Sequence, residues 1–191
     1  MPKFIEVRKD VFATGSVACD FKDLREFYRE NIEDMIKAFD ECKKIFKVDN
    51  VKMFVRNLRT AKGHYQHSSK EIAIDIRDRD LKAVVSTIIH EMTHAQQYAT
   101  KKLSNKGANY VFESKEFKPV NSRKNYEAYL NQPWEIEARN NESKYIDKVM
   151  KAIAKWKWEW DDESRLALFF YLRTQILMLY GQSKYGDDYG I

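Results

Sequence analysis

Apolar residues return at three- and four-residue steps in long stretches of this chain and alternate with polar ones in a few short stretches. The pattern predicts helices packed on small sheets. From about Asp20 to Phe46, the residues Phe21, Leu24, Phe27, Tyr28, Ile32, Met35, Ile36, Phe39, Cys42, Ile45 and Phe46 form the apolar face of a long amphipathic helix. A second helix is predicted over 80–99. Leu81, Val84, Val85, Ile88, Met92 and Ala95 make its buried stripe, and Asp80 is placed to cap its first turn. A third starts near Pro133, where proline suits the first helical position, and runs through Ile136, Ile146, Val149, Met150 and Ile153 to about Ala154.

The short stretches read as strands. Lys52 to Leu58 alternates, Gly63 to Gln66 begins another, and Glu71 to Arg77 is the clearest. In that last segment Ile72, Ile74 and Ile76 face one way and Ala73, Asp75 and Arg77 the other, as in a half-buried strand. Such a strand at a sheet edge could pair with an extended peptide. Residues 101–126 are polar, with a turn at Asn105-Lys106-Gly107 and a small hairpin expected from Tyr110-Val111-Phe112 and Glu116-Phe117. The first seventeen residues read as a short strand, 162–180 as an apolar helix, and 181–191 as a frayed end. Trp156, Trp158 and Trp160 read as packing residues. The expected class is α+β, in one domain covering 1–191.

Composition narrows the function classes. Basic residues number 34 and acidic ones 29, a net charge of +5. That balance permits an anionic partner such as nucleic acid but does not indicate one. Aromatic content of 14% and charged content of 33% describe an ordered chain with a charged surface. Cys19 and Cys42 form no metal or redox motif and are expected as thiols. The N-terminal residues lack the apolar run of an export signal. Leu166 to Leu172, stopped by Arg173, is too short to span a bilayer. The expected setting is the cytoplasm (a host's, if the gene is viral), with no membrane partner.

The candidate chemistry lies in His90-Glu91-Met92-Thr93-His94. Two histidines four apart on a helix share a face, so both imidazoles can reach one Zn²⁺. Glu91 between them can take the proton of a water held there. A catalytic zinc site needs a third protein ligand, and the predicted helix from Pro133 offers Glu135 and Glu137. Two residues apart on a helix they diverge by about 200°, so only one can point at the metal. His64 and His67, three apart in a strand or loop, read as surface residues.

The HExxH helix followed by Glu135-Ile136-Glu137-Ala138 resembles the gluzincin branch of zinc metallopeptidases. More narrowly, it is similar to small metallopeptidases of bacteria and their phages. The resemblance covers roughly 71–155, within a functional core near 50–155, and implies a zincin-like fold with a small, mostly antiparallel sheet. It implies that Glu135, three before Ala138, is the third ligand. Arg139 departs from the family, which often has an acidic residue or asparagine there to support a histidine. Asn141, four after Glu137, keeps Glu137 open. The activity implied is peptide-bond hydrolysis on a restricted intracellular protein or peptide substrate. Tyr129 is the first candidate donor to the oxyanion and Tyr126 the second. The alternative is an inactive module in which zinc serves only as a fold clamp for binding a protein partner.

Overall fold

The computed structural model describes residues 21–55, 58, 61–77 and 79–159; at 21–29 and 157–159 it is the backbone alone that is described. These residues form an α+β structure. The element order is α1 (Phe21–Phe46), β1 (Lys52–Val55), β2 (Gly63–Gln66), β3 (Glu71–Ile74), α2 (Leu81–Ala99), β4 (Leu103–Lys106), β5 (Asn109–Phe112), β6 (Lys115–Phe117), α3 (Tyr126–Leu130) and α4 (Pro133–Glu159). One compact unit extends to Ile153 and a second begins at Ala154. Of the second, residues 154–159 are described, as the last residues of α4. The expected N-terminal strand, the 162–180 helix, Cys19 and Trp160 lie outside the described residues. Among the described residues, no helix is long and apolar enough to cross a membrane.

Two three-stranded sheets stand where one small sheet and a hairpin were expected. The first has the order β1-β3-β2, with β1 parallel and β2 antiparallel to β3. It packs with α1, α2 and α4 in one core that includes Met35, Phe46, Ile72, Ile74, Ile88, Met92 and Val149. β3 is therefore central rather than at an edge. Ala73 and Asp75, expected on an open face, are buried with Ile72, Ile74 and Ile76. Asp75 is supported there: it accepts from the Leu58 amide at 3.0 Å and from the Arg77 amide and guanidinium. Among the described residues, the outer strands are β1 and β2.

The second sheet, β4-β5-β6, occupies the connection between the two helices that carry the candidate ligands. The expected hairpin gains a strand at 103–106. The added strand precedes the anticipated turn, in which Gly107 has φ 59°; the turn of the expected hairpin is made by Glu113 and Ser114, with φ 47° and 68° and no glycine. The sheet's inner face, with Tyr110, Phe112 and Phe117, closes on Trp134 at ring separations of 5.2, 6.1 and 5.6 Å. Trp134 immediately precedes Glu135, so this packing braces the first turn of α4.

α2 begins as its sequence requires. Asp80 accepts the Ala83 amide at 2.7 Å, closing the first turn. α3 was not anticipated. Its five residues are too few for periodicity to show, and Asn125 starts it by accepting the Ala128 amide at 2.9 Å.

Candidate metal centre

His90 and His94 stand one turn apart on α2, with ring centroids 4.8 Å apart. Their Nε2 atoms approach to 3.1 Å. Glu135, in the first turn of α4, faces both: Oε2 lies 3.3 Å from His90 Nε2 and Oε1 lies 3.4 Å from His94 Nε2. These three residues can hold a metal ion. Four ligands about 2.0–2.1 Å from a tetrahedral centre stand about 3.3 Å from one another. The three observed separations fit that edge length.

The outer nitrogens settle what the inner ones present. His90 Nδ1 lies 2.7 Å from Glu142 Oε1, and a carboxylate so placed accepts a hydrogen bond from the ring N–H. Ser86 donates to the other oxygen of Glu142. His94 Nδ1 lies 2.9 Å from Gln97 Oε1. The Gln97 amide cannot be turned round, because its nitrogen donates to Trp134 O at 3.1 Å and to Glu137 Oε2 at 2.9 Å, both acceptors. Each neutral imidazole therefore carries its hydrogen on Nδ1 and turns a lone pair inward from Nε2.

Ionisation follows from this crowding. Burial alone would lower the pKa of His90, but hydrogen bonds to Glu135 and Glu142, with Glu91 nearby, outweigh it and push it up to about 10. His94 is opposed by burial and raised by Glu135 and Glu91 in the same way. Burial would raise Glu135, yet hydrogen bonds from both imidazoles pull it well below the usual carboxylate range. In metal-free protein a proton on the imidazoles thus takes the part a cation would otherwise play.

Glu91 lies beside this group and is 6% exposed. Burial raises its pKa, and the charges of His94 and His90 offset that only in part. Tyr129, on α3, lies near enough to Glu135 and Glu91 to feel their charges. Burial, then Glu135 and Glu91, push its phenol upward, so it stays protonated as a donor. Arg139 holds α3 in place by donating to the Leu130 carbonyl. Arg139 thus steadies the segment bearing Tyr129 and not a histidine.

Glu137 is not brought to the group. It accepts from Gln97 at 2.9 Å and from Lys102 at 2.7 Å, and so stands behind His94 rather than in front of it. Asn141 reaches Thr93 Oγ1 at 3.3 Å. Tyr126 is 64% exposed and stacks on Tyr129 at 6.3 Å. His64 pairs with Gln66, and His67 stacks on Tyr98 at 4.2 Å. Glu142 and Gln97 are the residues that sequence reasoning missed in these supporting roles. Both had a spacing signal: Glu142 is seven after Glu135, about two helical turns, and Gln97 is three after His94.

No protein-family model, curated protein or solved structure matches this chain. The class defined by fold and site is an α+β chain with a His-His-Glu centre able to hold a metal ion.

Proposed function

We propose that this chain is a zinc-dependent peptidase of the zincin type, with the gluzincin ligand set His90, His94 and Glu135. The observation that carries the proposal is the convergence of two inward lone pairs and a carboxylate at 3.1–3.4 Å, with both tautomers set from behind. Such groups repel one another unless a cation or a proton joins them. Two imidazole nitrogens and one carboxylate oxygen suit zinc, and three protein donors leave a fourth position for catalysis. A bound zinc would supply Lewis acidity and lower the pKa of water at that position.

The chain's own groups then have distinct tasks. Glu91 takes the proton of the attacking water and returns it to the leaving amine, and its raised pKa suits both directions. Tyr129 donates to the oxygen that gains charge on the scissile carbonyl. A peptide substrate is favoured by the outer strand β2. Asp75 N donates to Lys62 O at 2.9 Å, so by antiparallel alternation the backbone groups of Gly63 and Tyr65 point away from β3. An extended chain could pair there. This moves the expected pairing edge from β3 to β2. The proposed setting is the cytoplasm and the proposed target a restricted protein substrate.

Metal analysis of the purified protein, with cleavage-site proteomics comparing it with Glu91→Gln, tests the proposal. About one zinc per chain is expected, with cleavage reduced about a hundredfold or more in Glu91→Gln at unchanged zinc content. Protein without zinc, or a Glu91→Gln variant as fast as its parent, would sink it.

A further inference from the structure

Gly63, the first residue of β2, lies against the residue assigned the proton transfer. A Cβ at this position would stand 2.5 Å from Thr87 Cγ2, 2.6 Å from Glu91 Oε1 and 2.9 Å from Glu91 Cγ. Its φ is not in the left-handed region, so the backbone does not call for glycine. Space does. Nor can the surroundings yield easily. Thr87 is a branched side chain, buried, and its hydroxyl is held by Arg79 Nη2 at 2.6 Å and by the Ala83 carbonyl at 3.2 Å. Arg79 is tied in turn to the carbonyls of Ala83 and Asp75. Of the three nearest atoms, the Glu91 carboxylate oxygen alone is the free end of a side chain.

We infer that Gly63 is a positioning residue: the missing side chain on β2 makes the seat in which the Glu91 carboxylate is held. The inference rests on the proposed peptidase reading for its kinetic consequence, and on packing alone for its structural one. Any side chain at 63 drives Glu91 from that seat. The three nearest atoms include none of His90, His94 or Glu135, so the displacement falls first on Glu91.

The test is Gly63→Ala, alone and combined with Thr87→Ser, which removes Cγ2 and keeps the hydroxyl bonded to Arg79. Gly63→Ala should bind zinc as its parent does, with kcat lower by about tenfold or more and KM within about twofold. Thr87→Ser should recover about threefold or more of that kcat, because β2 can then move off Glu91. A kcat of Gly63→Ala within twofold of the parent, loss of its zinc, or no recovery with Thr87→Ser overturns the inference. A second measurement does not depend on catalysis. Gly63→Ala should lower the thermal midpoint more in the parent than in a Glu91→Ala background, where two of the three contacts are gone. Equal decreases overturn the inference even if the parent is not a peptidase, whereas a parent without zinc overturns the peptidase reading and leaves this cycle intact.

Discussion

Behind His90 stands a carboxylate, Glu142, with Ser86 on its second oxygen. Behind His94 stands a neutral amide, Gln97, followed by Glu137 and Lys102. Both supports place the ring hydrogen on Nδ1, but they differ in charge and in depth. Glu142 is partly exposed, with 26% side-chain accessibility, and its negative charge makes His90 a stronger base. Gln97 is 1% exposed and adds no charge beside Glu135 and Glu91. It also closes a buried junction between α2 and α4, because its nitrogen satisfies Trp134 O. The comparison teaches that one histidine is tuned electrostatically and the other is fixed by packing.

The largest effect should come from removing what the two sides share. Glu135→Ala leaves two imidazoles, and zinc per chain should fall from about one to below about 0.1 under equilibrium dialysis. Its thermal midpoint should no longer respond to added zinc. A response like the parent's would show that Glu135 is not a ligand.

The two supports should then separate. Glu142→Ala should weaken zinc binding about 10–100-fold, measured by competition with a chelator, with a small change in the stability of the metal-free protein. Gln97→Ala should do more to the fold, costing about 1–3 kcal/mol in denaturant unfolding because buried acceptors lose their donor. If the two variants lose affinity and stability in the same proportion, the distinction between tuning and packing is wrong.

The smallest effect concerns pH in metal-free protein. The folded pKa of His90 lies near 10, above the ordinary value of 6.5. Its contribution to stability is therefore fully present below pH 6.5 and is lost as pH rises through about 10. The thermal midpoint should fall across that window, and Glu142→Gln should shallow the fall. A parent and variant with parallel profiles would break the electrostatic half of the comparison.

Much of this was readable from local spacing. Helix periodicity located α1, α2 and α4, and the four-residue step joined His90 to His94. The turn between Glu135 and Glu137 meant that one of them at most could join, and the structure brings Glu135 to the histidines. What spacing could not supply was the pairing order of strands far apart in sequence. That order makes β3 central and puts β2 beside Glu91. Gly63 consequently reads as the start of a strand in the sequence and as a seat in the structure. The hairpin at 110–117 was legible although Glu113 and Ser114 make its turn in a conformation usually signalled by glycine or asparagine; the strand not anticipated was the polar β4. Arg139 looked like a missing ligand support until α3, too short for periodicity, gave it a carbonyl to hold.

The links between α2 and α4 have a consequence for how the protein is made. Ser86 to Glu142, Thr93 to Asn141 and Gln97 to Glu137 join the two helices directly, side chain to side chain. On the proposed reading, these side-chain bonds would align the two helices independently of any ion at His90, His94 and Glu135. In this the chain would differ from small zinc domains, in which capture of the ion and folding are one event. If the proposed zinc site is real, zinc supply would then govern how many finished molecules are competent, rather than how many survive synthesis.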